Sequence, residues 1–172
     1  MKSKVSGQKI VIFPVTLWTE LRRQFERAYG KGADAIVEHM AEEYGRSVGR
    51  GVISQGKSVE ELLSLFQQLT AESGWGELKI EGDKGRGEAF RLELSSCAFC
   101  EEGMGAERCR CDVVRWTAAG VAQEVYKRGY TSWETGCVGR GGVVCSFELR
   151  ASEKKGGDSW KARAYFPWLS TE

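Results

Sequence analysis

The hydrophobic period of the chain changes partway along. Before residue 74 apolar positions recur every three or four residues, and after it they alternate. Leu17, Leu21, Phe25 and Ala28 predict a helix that Thr16 could cap and Gly30 should end. A second helix is expected from about Ala33 to Val48, with Val37, Met40, Tyr44 and Val48 along one face and Gly45 and Gly49 thinning another. The third has the clearest start, because Ser58-Val59-Glu60-Glu61 is a capping box ahead of Leu62, Leu63, Phe66 and Leu69. Beyond Gly74, Leu78 and Ile80 alternate with charged residues, as do Phe90, Leu92 and Leu94, and the glycine-rich stretch 82–87 supplies the turn between two strands. A fourth helix, about Asp112 to Arg128, turns Val114, Ala118, Val121, Ala122 and Val125 inward and should stop at Gly129. Strands are predicted again at 131–138, 143–149 and 159–168, and a short β-branched run covers 9–13. The expected fold class is α+β, an antiparallel sheet packed against a layer of helices, in a single domain over 1–172.

Charge and composition narrow the partners. Lys and Arg total 25 against 24 for Asp and Glu, interspersed, so no basic face is built for a phosphate backbone and nucleic acid is not an expected partner. No stretch is long and apolar enough to span a membrane. The basic first residues precede an apolar run, Ile10 to Val15, that is too short for a secretory signal and is broken by Pro14. The expected location is therefore cytoplasmic, where thiols stay reduced. On that reading the 6 cysteines speak for metal or reactive chemistry before disulfides.

Those cysteines carry the most informative pattern. Cys137 and Cys145 fall on two predicted strands joined by the glycine-rich turn Gly139-Arg140-Gly141-Gly142, so a hairpin can bring both sulfurs to one point. Cys111 stands just before a helix, where the dipole and free amides favour a thiolate. With Glu134 they would form a closed tetrahedral shell of three thiolates and a carboxylate, structural and not hydrolytic, and zinc suits that mixture. The bare spacing also admits Cys137 and Cys145 as small buried hydrophobes and Glu134 as a solvated strand residue. Cys97-Ala98-Phe99-Cys100 and Cys109 form a possible second metal cluster, either separate or drawing Cys111 into a four-thiolate set with Cys97, Cys100 and Cys109.

Glu134-Thr-x-Cys137, a glycine turn, then Cys145-x-Phe147, preceded by a cysteine opening a helix that contains Ala119-Gly120, resembles the 4-vinyl-reductase domain family. The resemblance covers about residues 15–150 and is strongest from Cys111 to Phe147; the Gly141-Gly142-Val143 turn departs from the acidic or polar turn of many members. It implies a 4-vinyl-reductase/TRAPP-like fold and a structural zinc at Cys111, Glu134, Cys137 and Cys145, as in the related sensor domains of phenol-responsive transcription activators. It also implies a cavity between helices and sheet for a small hydrophobic, aromatic or lipid-like ligand. Phe90, Phe99, Trp116 and Trp133 are the candidate lining residues, and Trp75 lies near the same elements.

Other chemistry is sparse. The single histidine, His39, stands next to Met40 within the second predicted helix, and no nucleophile triad, phosphate loop or dinucleotide fingerprint is present. The expectation is a non-enzymatic, sensory or accessory binding domain, a homodimer formed through the first helices with Gly45 and Gly49 giving close approach, passing its signal to an unknown protein partner. The alternatives that the resemblance implies are an enzyme or accessory in tetrapyrrole vinyl reduction and a TRAPP-like interaction subunit.

Overall fold

The fold is taken from a computed structural model that describes residues 4–5, 8–9, 15–54, 56–100 and 111–152. A short antiparallel pair, β1 (Lys4–Val5) and β2 (Gln8–Lys9), precedes helices α1 (Val15–Tyr29), α2 (Ala33–Ile53) and α3 (Val59–Glu72). Then come β3 (Glu77–Gly82), β4 (Ala89–Ser95), α4 (Asp112–Tyr126), β5 (Gly129–Gly136) and β6 (Cys145–Ser152). The last four strands form one antiparallel sheet in the order β3-β4-β6-β5. The predicted strand at 159–168, the run at 10–13 and Cys109 lie outside the described residues.

The capping box forms as the sequence predicts: the Glu61 backbone N–H donates to Ser58 Oγ and the Ser58 N–H donates to Glu61 Oε2 at 2.8 Å. The sheet buries one face. Leu78, Ile80, Phe90, Leu92, Leu94, Phe147 and Leu149 point inward against α3 and α4, while charged residues take the alternate positions. Val114, Ala118, Val121 and Ala122 of α4 are buried on that core, as the helical period predicts. The helix ends earlier than expected, because Lys127 adopts the left-handed conformation and Gly129 already belongs to β5.

α2 and α4 cross on glycine. A β-carbon on Gly45 would run into the Thr117 carbonyl oxygen, and one on Gly120 into that of Glu42, so the two backbones meet directly. This changes two expectations. The buried face of α2 is Ala33, Val37, Ala41, Gly45, Val48, Gly49 and Val52, whereas Met40 and Tyr44 are exposed. Gly45 and Gly49 are covered by α4 of the same chain, so they are not available to close a dimer. Around the crossing, Arg46 reaches Glu42 at 2.7 Å, and Gln123 donates to Glu42 at 2.6 Å and accepts from Arg46 Nε at 3.0 Å.

α1 behaves unlike its pattern. Its buried side chain is Arg22, paired with Glu26, Asp34 and Asp112, whereas Leu17 and Leu21 of the predicted inward face are 45% and 39% exposed. Burial works against the Arg22 charge, and Asp112, Glu26 and Asp34 together carry its pKa above the usual value.

Candidate metal centre

Every cysteine among the described residues is buried and unbridged. They gather because the sheet order brings the end of one strand to the start of another. Leu94 of β4 pairs with Cys145 at the start of β6, so the chain leaving β4 passes the edge where β6 begins. Cys97 and Cys100 lie on that exit. Its turn is pinned by Ala98 N–H donating to the Trp75 carbonyl at 3.0 Å and by the Phe99 ring edge-on to Trp75, with centroids 5.4 Å apart.

The other side of the chamber comes from β5. Its register shifts between Glu134 and Gly136, a bulge that lets Glu134 and Cys137 face the same side at an odd spacing. The chain then wraps the Cys137 carbonyl, which accepts from the N–H groups of Arg140 at 3.1 Å and Gly142 at 2.9 Å. Gly141, at φ 87°, makes the turn, and a β-carbon on Gly142 would press against Cys137. Cys111 is the N-cap residue of α4 and closes the group from above.

The sulfurs of Cys100, Cys111, Cys137 and Cys145 all lie within 4.8 Å of one another, and these residues could hold a metal ion. Cys137 Sγ is 3.6 Å from Cys100 Sγ and 3.9 Å from Cys111 Sγ. A tetrahedral ion with metal–sulfur bonds of about 2.3 Å requires sulfur–sulfur edges of roughly 3.8 Å, so the chamber has the size of one such ion. Glu134 stands beside it: Cys111 Sγ donates to Glu134 Oε1 at 3.0 Å, and Oε2 is paired with Arg140.

Protons are shared unevenly among the thiols. Hydrogen bonds, above all with Cys111, bring Cys100 down to about 6. Bonds from Cys100 and Cys111 lower Cys145 as well. For Cys97, Cys100 pushes upward, but the bonds from Cys111 and Cys145 leave it lowered. Cys111 is driven far upward by its bonds to Cys100, Cys145 and Cys97 and by burial, so it retains the proton. Cys100 is therefore poised as a thiolate at neutral pH, the form that ligates metal.

The structure thus brings Cys111, Glu134, Cys137 and Cys145 to one place and adds Cys100 and Cys97, which the sequence assigned to a possible second cluster. The pairing of Leu94 with Cys145 brings Cys100 of the second group into the metal-sized set, and no spacing in the sequence signals that pairing.

Of the candidate pocket residues, Phe90 lines an apolar cavity of about 20 Å³ between α3, α4 and the sheet, together with Leu63, Phe66, Ile80 and Leu149. Phe99 packs on Trp75. Trp116 is half-buried with the Arg115 guanidinium 4.5 Å from its ring. Trp133 is on the sheet face turned from the helices, with Arg150 stacked at 5.2 Å.

No protein-family model matches the chain. Over 125 residues it is 26% identical to an uncharacterized protein of Methanocaldococcus jannaschii, covering 73% of this chain and 69% of that one. Among solved structures it is similar to the phenol-responsive sensory domain of the transcription activator PoxR, crystallised with phenol. That match has a TM-score of 0.68 and 14% identity over 91% of this chain and 83% of that one. A trafficking protein particle complex subunit 3 from Naegleria fowleri, covalently bound to palmitic acid, matches at TM-score 0.59 and 11% identity, over 83% and 95%. A vinyl-4-reductase family protein from Methanocaldococcus jannaschii matches at 0.51 and 18%, over 86% and 100%. The chain therefore has the 4-vinyl-reductase/TRAPP-like fold, helices on a four-stranded antiparallel sheet, that these structures share.

Proposed function

We propose that the chain is a non-enzymatic binding domain that takes a small hydrophobic molecule between its helices and its sheet and is stapled by one zinc ion at the thiol chamber. The observation that carries this reading is the wholly apolar cavity behind Phe90, in a fold whose solved examples include one with phenol and one with palmitic acid. At about 20 Å³ the cavity holds about one water, so a ligand enters by turning aside rings such as Phe66 and Phe90. No cluster of acid, base and nucleophile faces that space, which favours binding over turnover.

Zinc would fix the Leu94–Cys145 end of the β4–β6 pair, whose Phe90 and Leu149 line the cavity four residues further along. Cys111, Cys137 and Cys145 are three of its ligands, and Glu134 and Cys100 compete for the fourth place. A homodimer is part of the proposal, resting on the exposed apolar side of α1, and so is a cytoplasmic location, in which the thiols stay reduced; the domain then signals through a protein partner.

Titration of the zinc-loaded chain with phenol and, separately, with palmitic acid tests the binding function through tryptophan emission, since Trp75 reports on the Phe99 turn. Saturable change with at least one probe is the expected result. A flat response to both contradicts the ligand-binding reading.

A further inference from the structure

We infer that the fourth ligand is Cys100, so that the metal sits in a shell of four thiolates while Glu134 remains outside, paired with Arg140. The inference rests on the zinc reading above and assigns its coordination.

Geometry separates the two contenders. Cys100, Cys111, Cys137 and Cys145 are 4%, 1%, 2% and 0% exposed, and the contacts of Cys137 with Cys100 and Cys111, at 3.6 and 3.9 Å, bracket the edge of a zinc–sulfur tetrahedron. All four sulfurs lie within 4.8 Å of one another, close enough to converge on one ion. The Glu134 side chain is 23% exposed and is ion-paired with Arg140, whereas its contact with Cys111 depends on a thiol proton that metal binding removes. To enter the shell it would have to give up the Arg140 ion pair. Thiolate is also the softer ligand and the better match to zinc.

The consequence is mechanical. A four-thiolate shell ties the exit of β4, the first turn of α4, the end of β5 and the start of β6 to one point. Four thiolates and a divalent ion leave negative charge in the chamber. The α4 N-terminus, where Cys111 stands at the N-cap position, offsets part of it, and Arg140 pairs with Glu134.

X-ray absorption at the zinc edge of the full chain is the direct test. The expected shell is four sulfurs at about 2.3 Å with no oxygen at about 2.0–2.2 Å. Cobalt loading of variants assigns the sulfurs. Cys100→Ser should lose the metal or one thiolate's share of the sulfur-to-cobalt charge-transfer absorption. Glu134→Gln, Cys97→Ser and Cys109→Ser should keep the wild-type spectrum. A shell of three sulfurs and one oxygen in the wild type overturns the assignment. So does metal loss in Glu134→Gln, Cys97→Ser or Cys109→Ser while Cys100→Ser keeps the wild-type spectrum. A wild-type chain that takes up neither zinc nor cobalt overturns the zinc reading itself.

Discussion

Where α2 crosses α4, the absence of two side chains decides the packing. Gly120 leaves room for the Glu42 carbonyl and Gly45 for that of Thr117, and neither carbonyl can retreat without bending its helix. Gly120→Ala should therefore destabilise the fold by about 3 kcal/mol, read as a lower urea midpoint with an unchanged slope. Arg22 is a second isolated decision. Arg22→Met removes the cation between Asp34 and Asp112 and leaves carboxylates facing each other across α1 and the start of α4. Because those carboxylates are partly solvated, a loss of about 2 kcal/mol is expected by the same measurement. The thiols add a pH dependence. A lowered thiol pKa means that the thiolate is present above the folded value and is protonated below it. Because metal binding must displace the thiol protons, lowered at Cys100 and Cys145 but raised at Cys111, metal should be held at neutral and higher pH and released as the pH falls. Zinc retained after buffer exchange at stepped pH checks this, and release already at pH 8 would contradict it.

The elements were legible where local chemistry determines them. The capping box at Ser58 placed the start of α3 to the residue, and alternation placed β3 and β4 within a residue or two. The faces of α1 and α2 were less legible, because periodicity reports that a helix is amphipathic and not what covers it. Met40 and Tyr44 satisfied the spacing on α2, yet the glycine seam was the side that α4 could approach. On α1, Leu17, Leu21, Phe25 and Tyr29 recur every four residues, and only Phe25 among them is half-buried. Among the described residues nothing covers this stripe, and an exposed apolar patch of this kind is a candidate interface. Leu21→Glu should turn a dimer into a monomer without lowering monomer stability, since Leu21 is 39% exposed within the chain. Light scattering measures this, and a wild-type chain that is monomeric at all accessible concentrations contradicts the interface.

At the scale of the whole molecule, the site depends on the order of strands. Cys111, Glu134, Cys137 and Cys145 could be read from one stretch of sequence because a helix start and a hairpin bring them together locally. The sequence places Cys100 instead in a possible second cluster with Cys97, Cys109 and Cys111, since its company with Cys137 and Cys145 follows from β6 lying beside β4, a long-range pairing that no spacing encodes. Along the same strand pair the thiols gather at the Leu94–Cys145 end, whereas the cavity lies toward the Phe90–Leu149 pair, four residues away. If the chamber is a metal centre, zinc affinity contributes to folding free energy, and stripping the ion should loosen the β5–β6 hairpin and the first turn of α4 before the α2–α4 crossing. Native mass spectrometry of the purified chain, compared with its mass under denaturing conditions, tests that centre most directly. The account predicts one zinc ion per chain, removed together with the native charge-state distribution when a chelator is added; a folded chain whose native mass carries no metal would contradict it.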